Sequence, residues 1–328
     1  MKIRSILLAV VLGASLVSAP AQAATQLIVG VAYDIGGRGD KSFNDASAAG
    51  LEKAQKQFDF NLEAVVTDGT STDREKRIRS LITKKCNPIV AIGAGYAATL
   101  QALAVEFPNT QFAIINDASV AALNVTSVVF ADTQGAYLAG FSAAQVSKSG
   151  KVAMIANPDQ ADLYKDGFSA GVFASKKKVI PIVKYVSGSY SLATSQVLDA
   201  GADVVFATTY GSNSEIFKVI VARNAKKKGS NIGLINIEPD QYITVTSATK
   251  KFLFASVVKR VDKAIYDVIA LSAAKRAYLD ILDGDAGIYG RRYGITGGGI
   301  EFTIRSKELA VLSDSINVAA ATAEKILA

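Results

Sequence analysis

From Gln26 onward, short apolar runs alternate with longer stretches in which apolar residues recur at helical spacing. Leu27–Tyr33 (LIVGVAY) reads as a buried strand, followed by a glycine-rich turn and a helix over 42–58 with Leu51, Ala54 and Phe58 on one side. The run 62–66 precedes a helix over 74–83, 89–92 precedes a helix over 97–106, and 112–115 follows. These runs of Val, Ile, Ala and Phe lack clean alternation, the pattern of strands covered on both faces and hence of a parallel sheet. Strands alternating with helices in this way predict an α/β fold, doubly wound.

The pattern then begins again. A strand over 152–156 leads into an irregular loop and a helix over 164–175, and strands over 182–185, 203–207 and 232–237 continue the series. Two similar Rossmann-like lobes are the economical explanation, and no Pro/Ser-rich linker separates the halves. The segment 124–140 carries the first crossing between them. A strand over 252–258, a helix over 261–275, turns in the glycine-rich stretch 284–299 and a helix over 308–327 complete the tail. The expected division is 24–134 plus about 260–285 for one lobe and 135–259 plus about 286–328 for the other. In such folds ligands sit beyond the carboxyl ends of the parallel strands.

The first 23 residues read differently. Lys2 and Arg4 precede an apolar run over 6–17, and Ala21-Gln22-Ala23 supplies a small-x-small cleavage pattern. This predicts a cleaved signal peptide and an exported protein, periplasmic or associated with the cell surface. No Cys stands near the cleavage point, so a lipid-modified N-terminus is not expected.

Composition removes much chemistry. Among 328 residues there is no His and one Cys, Cys86. Ser-His-Asp machinery, imidazole-ligated zinc and thiolate metal cages are thereby excluded. No cofactor is expected. The formal charge of +7 includes Lys176-Lys177-Lys178 and Lys226-Lys227-Lys228, each at the end of a predicted helix, where cations favour the negative end of the dipole. No reading element for nucleic acid accompanies them.

Chemistry concentrates after the first strand, at Asp34-Ile35-Gly36-Gly37-Arg38-Gly39-Asp40-Lys41-Ser42-Phe43-Asn44-Asp45. The glycines permit sharp turns, and Ser42 or Asp40 can cap the following helix. Gly37-x-Gly39 has Ser42 where a dinucleotide fingerprint needs its third glycine, and no Walker A sequence is present.

This segment resembles the opening signature of the basic membrane protein family, the purine nucleoside receptor group of ABC-transporter binding proteins. Gly135-Ala136-Tyr137-Leu138-Ala139-Gly140, Gly201-Ala202-Asp203-Val204-Val205-Phe206, Asp240-Gln241 and Ser256-Val257-Val258-Lys259-Arg260 match in order. The resemblance implies the type I periplasmic-binding architecture, with a nucleoside held between the lobes. On that footing Phe43 and Phe206 stack on the base, with Tyr210 as the alternative to Phe206, and Asn44 belongs with Phe43 among the binding positions. Asp34 matches a carboxylate near the base. Asn116 and Asp117 stand where the family has one Asp, so either can face the ligand. Glu238 and Lys259 match a ribose-binding pair, with Glu238 longer than the usual Asp, and Gly211 allows close backbone approach.

The expectation is a non-enzymatic solute-binding protein of an ABC importer, working as a monomer with a nucleoside ligand and an ABC permease as partners. A type I binder for a sugar or other small ligand, and a sensor ectodomain, are the alternatives. A calcium-dependent nucleoside hydrolase needs a tight Asp cluster, whereas Asp283-x-Asp285 stands alone.

Overall fold

The computed structural model describes residues 26–158, 161–186, 188–209, 213–226, 229, 231–237, 241–276 and 280–326; the expected signal peptide lies outside them. The chain opens with β1 (Leu27–Tyr33), α1 (Phe43–Gln55), β2 (Phe60–Val66), α2 (Ser71–Thr83), β3 (Ile89–Ile92), α3 (Ala97–Glu106), β4 (Phe112–Ile115) and β5 (Val125–Phe130). A second series follows: α4 (Asp132–Val146), β6 (Lys151–Ala156), α5 (Ala161–Ala174), β7 (Ile180–Tyr185), α6 (Tyr190–Asp199), β8 (Val204–Thr208), α7 (Asn213–Lys226), β9 (Gly233–Ile237), α8 (Ser247–Lys250) and β10 (Leu253–Lys259). The tail holds α9 (Val261–Ala273), β11 (Ile281–Asp283), β12 (Ile288–Tyr293), β13 (Ile300–Ile304), α10 (Lys307–Ala310) and α11 (Ser313–Ile326).

Two sheets result, ordered β11-β12-β5-β4-β3-β1-β2 and β13-β10-β9-β8-β6-β7. The pairings are parallel except for β11 on β12 and β13 on β10. Five strands of each sheet share one order, with the second strand outside the first and the third to fifth on its other side. The repeated pattern of the sequence is therefore a repeated topology, and each sheet reverses direction beside its first strand.

Burial explains the strands. Every residue of β3, β4, β8, β9 and β10 is buried, as expected of parallel strands covered on both faces. On the first sheet, Ala48 and Leu51 of α1 and Ile265 and Val268 of α9 pack into the main core, whereas Ile78 and Leu81 of α2 and Leu100 of α3 cover the opposite face. The second sheet has α4, α5 and α11 on one side and α6 and α7 on the other.

Helix α4 is buried from Gln134 through Ala144, so it behaves as a core helix with no solvent stripe. It lies directly on α5. A Cβ on Gly140 would overlap the Phe168 carbonyl oxygen, one on Gly171 the Tyr137 oxygen, and one on Gly167 the Thr133 oxygen. Within the Gly135–Gly140 motif, Gly140 thus lets two backbones touch, while Gly135 makes room for the Val257 side chain.

Three strands depart from the sequence pattern. In β5, Thr126 and Ser127 interrupt the apolar run, yet both are buried because the strand is central. The stretch expected as turns contains β12, which enters the first sheet parallel to β5 despite Arg291 and Arg292. Gly290 makes that pairing possible, since a Cβ there would overlap the Ser127 carbonyl. Between Tyr293 and Ile300 the chain passes from the first sheet to the second. The third, β13 (IEFTI), alternates because it is an antiparallel edge strand. The expected C-terminal helix is two, α10 and α11.

The chain crosses between sheets three times, at 130–132, 259–261 and 293–300, and the crossings are bonded to each other. The Ala131 N–H donates to the Tyr293 carbonyl at 2.9 Å, and the Arg260 N–H donates to the Gly299 carbonyl at 2.9 Å. The Ile295 N–H donates to Gln134 Oε1 at 3.0 Å. Arg260 also forks onto Asp262 at 2.8 Å through both Nε and Nη2, and its Nη1 donates to Glu301. Burial pushes the Asp262 carboxyl up, but the bonds and charge of Arg260, with the Lys263 N–H, outweigh burial and hold it below the usual carboxylate range. A depressed carboxyl contributes stability above its unfolded pKa of about 4, lost as pH falls through the lower folded value. The stability gap between the wild type and Asp262→Asn in urea should therefore narrow as the pH falls below about 4. A gap that ignores pH would assign the effect to packing.

Candidate functional site

The loop after β1 locks itself. Gly36, Gly37, Gly39 and Lys41 all have positive φ, which the chain needs in order to fold back toward α1. Asp40 is the cap: its Oδ1 accepts from the N–H groups of Ser42 (2.8 Å) and Asp45 (3.1 Å), and its Oδ2 from that of Asn44 (3.0 Å). Asp45 reciprocates, accepting from Gly39 N–H at 2.7 Å and Lys41 N–H at 2.9 Å. Asp40→Ala should cost about 1–2 kcal/mol in thermal or urea unfolding and loosen Phe43, which begins α1.

Asn44 is buried and braces the same turn. Its Oδ1 accepts from the Asp34 N–H at 3.0 Å, and its Nδ2 donates to the Asp34 and Ile35 carbonyls. Asp34 itself pairs with Arg74 Nη2 at 3.0 Å while its side chain stays 37 % exposed. Arg74 in turn lies over the Tyr96 ring and donates to the Gly69 carbonyl. The carboxylate thus stands at the carboxyl end of β1, held by a guanidinium from α2.

At the carboxyl ends of β4 and β10 the two lobes meet on one ammonium. Lys259 is 1 % exposed. Its Nζ lies 2.7 Å from Asp132 Oδ1, donates to the Tyr164 hydroxyl at 3.0 Å, and donates to Asn116 Oδ1 at 3.4 Å. The rings of Phe43, Phe130 and Tyr164 surround it, with centroids 5.7, 5.9 and 5.6 Å from the charge. A buried ammonium requires this company, because an unpaired charge out of water is prohibitive. Phe130 and Lys259 end strands at two of the crossings, and Asp132 opens α4 just after the first. The cluster therefore sits where the lobes join.

The structure separates the paired candidates after β4. Asn116, with φ at 66°, turns its amide to Lys259, whereas Asp117 accepts from the N–H and hydroxyl of Ser119 at 2.8 and 2.7 Å. Phe206 is fully buried, stacked on Phe168 at 5.7 Å and edge-on to Tyr164 at 6.5 Å. It buttresses Tyr164 from within the second lobe. Gly211, Glu238 and Tyr210 lie outside the described residues.

Asp132, Tyr164, Phe130 and Arg74 were not singled out from the sequence. Asp132 lay within the expected crossing segment, and Tyr164 stood only as a helix start; neither has a spacing that marks it. A cavity of about 470 Å³ opens between the lobes, with Lys41 and Ser42 on one side and Asn213, Phe217 and Thr246 on the other. A second cavity, of about 520 Å³, lies under Leu27, Phe112 and Leu271 at the amino ends of the first sheet, away from these groups. Among the described residues, no group of three or more acidic, His or Cys side chains could hold a metal ion, and no helix is long and apolar enough to cross a membrane.

Residues 28–327 match the model of the family described as ABC transporter substrate-binding protein PnrA-like. The chain is 28 % identical over 268 residues to the CD4+ T-cell-stimulating antigen of Listeria innocua, covering 75 % of this chain and 73 % of that one. It is 25 % identical over 261 residues to the ABC transporter nucleoside-binding protein BmpA of Lactococcus lactis, covering 74 % of each. Among solved structures, a solute-binding protein of an ABC transporter system from Aeropyrum pernix superposes with a TM-score of 0.68 at 21 % identity, over 91 % of this chain and 86 % of that one. A transcriptional activator of the comK gene from Bacillus halodurans superposes with a TM-score of 0.74 at 19 % identity, over 90 % and 96 %. The shared fold thus serves more than one role, but the family match spans nearly every described residue: the chain belongs to the PnrA-like family of ABC-transporter substrate-binding proteins.

Proposed function

We propose that this protein captures a nucleoside between its lobes and presents it to an ABC permease, without chemical conversion. The observation that carries the reading is the convergence of Lys259, Asn116, Tyr164 and Phe43 from both lobes on one point at the carboxyl ends of the strands. Phe43 supplies a ring for a base, and Lys259 a donor for a sugar hydroxyl. The Lys259 contact to Asn116, at 3.4 Å, is long and therefore weak, so a ligand hydroxyl would enter by displacing it. The nucleoside-binding relative in Lactococcus lactis supports the choice of ligand.

Closure follows from the same geometry. A ligand touching Phe43 and Asn116 on one lobe and Lys259 on the other favours the arrangement in which all three are within reach. Thermal unfolding with adenosine, guanosine, inosine, sugars and amino acids tests the reading. A nucleoside should raise stability by about 2.7 kcal/mol at a hundred times its Kd, and Phe43→Ala should abolish the rise. Shifts with sugars alone would replace the nucleoside by a sugar on the same fold.

A further inference from the structure

We propose that the amino-terminal edge of the second sheet docks on an anionic membrane surface. This edge faces away from the cleft, because every parallel strand of the sheet points its carboxyl end toward the other lobe. The turn 148–151 before β6 and the turn 175–179 between α5 and β7 lie side by side there, joined by the Ile180 N–H donating to the Gly150 carbonyl at 2.9 Å. Together they present Lys148, Lys176, Lys177 and Lys178, all exposed. Lys226 and Lys307, also exposed, extend the same edge from the end of α7 and the end of β13.

Of the acidic groups at this edge, Glu308 beside Lys307 accepts from Asn231 Nδ2 at 3.0 Å, and Asp203 and Asp199 are held by partners of their own. The Asp203 carboxylate accepts from Ser147 Oγ at 2.7 Å and from the N–H groups of Lys148 and Ser149 at 2.6 and 2.8 Å. Asp199 pairs with Arg223 at 2.7 Å. Lys148, Lys176 and Lys178 have no carboxylate partner among the described residues. These three ammonium groups face solvent without an ion-pair partner among the described residues.

Two large apolar side chains stand beside these lysines. Phe173, in the last turn of α5, is 87 % exposed, and Ile180, opening β7, is 60 % exposed. The Lys176 N–H donates to the Phe173 carbonyl at 3.1 Å, which places ring and lysines in one turn. An aromatic side chain projecting among ammonium groups fits a headgroup layer, where the ring enters the acyl boundary and the cations meet anionic lipid. Among the described residues no stacked pair of rings stands at this edge, so it suits a lipid plane better than a nucleic acid. A protein held this way keeps its cleft unobstructed.

Co-sedimentation of the chain from Ala24 onward with vesicles tests the proposal, using phosphatidylcholine alone and with about one third phosphatidylglycerol. Binding is expected on the anionic vesicles at low salt and should be lost at high salt. Each lysine near the surface is worth about fivefold in partition, so the K176Q/K177Q/K178Q variant should bind about a hundredfold more weakly. Phe173→Ser should weaken binding without a change of charge, and both variants should keep the wild-type unfolding midpoint, since the altered side chains are exposed. Equal partition onto uncharged vesicles, or wild-type partition by the lysine variant, would overturn the proposal. So would indifference to Phe173→Ser combined with full competition by polyglutamate or heparin, which would indicate a generic polyanion site.

Discussion

Replacing Gly171 with alanine should destabilise the protein by about 3 kcal/mol or more, lowering the unfolding midpoint by roughly 6 °C or more. The added Cβ would overlap the Tyr137 carbonyl oxygen and press on the Phe141 amide, both backbone atoms of α4 that cannot rotate aside. Relief requires α4 and α5 to separate, which opens gaps along the most thoroughly buried helix of the chain. Gly140→Ala makes the reciprocal overlap with Phe168 and should act similarly. Because both glycines serve one interface, the double variant should cost less than the sum of the singles: once the helices have parted, the second methyl is already accommodated. Gly36→Ala offers a contrast, since its Cβ meets no neighbour and only its positive φ resists. Urea denaturation of the set measures this. Equal effects at Gly171 and Gly36 would show that close approach of the helices is not what the glycine provides.

The second large effect is expected at the ion pair of Lys259 and Asp132. Breaking a buried pair by removing one partner typically costs about 3–5 kcal/mol, because the other charge stays behind. The two halves are not equivalent here. Lys259→Met leaves a carboxylate that is 12 % exposed, whereas Asp132→Ala leaves an ammonium that is 1 % exposed and has lost the carboxylate 2.7 Å away. Asp132→Ala should therefore be the worse of the two, and Lys259→Met combined with Asp132→Leu should recover part of the loss. The same variants should lose the response to ligand, including Asp132→Ala, which on the proposed reading does not itself touch the nucleoside. An unfolding series in which Lys259→Met is silent would sink the account of a required buried charge.

Much of this was legible along the chain. Runs such as IVAI and FAII can be buried only as central strands, and their repetition after residue 150 required a second lobe of the same kind. The loop after β1 carried its own explanation, since Asp40 and Asp45 cap groups within six residues of themselves. Phe43 and Lys259 were readable through resemblance to a family motif, and the structure brings both to one place. What escaped was whatever depends on residues far apart. The strand IYGRRY has no apolar signature, and it becomes a strand only because β5 offers an unpaired edge and Gly290 has no side chain to obstruct it. Phe206 and Tyr164 are both buried aromatic residues of the second lobe. Their roles diverge because Phe168, on the next turn of α5 from Tyr164, stacks on Phe206 and fills its surroundings.

The sequence by itself determined the fold class, the duplication, the self-capping loop and the absence of imidazole chemistry, all of which follow from local pattern and composition. Tertiary structure alone decided that Asp132 answers Lys259 across 127 positions, that Asn116 rather than Asp117 turns toward it, and that two helices touch through bare glycines. These are statements about distance after folding. Hydrophobic periodicity determines which face of an element is buried, but it carries no information about which buried polar group will find which partner once the two sheets have been joined.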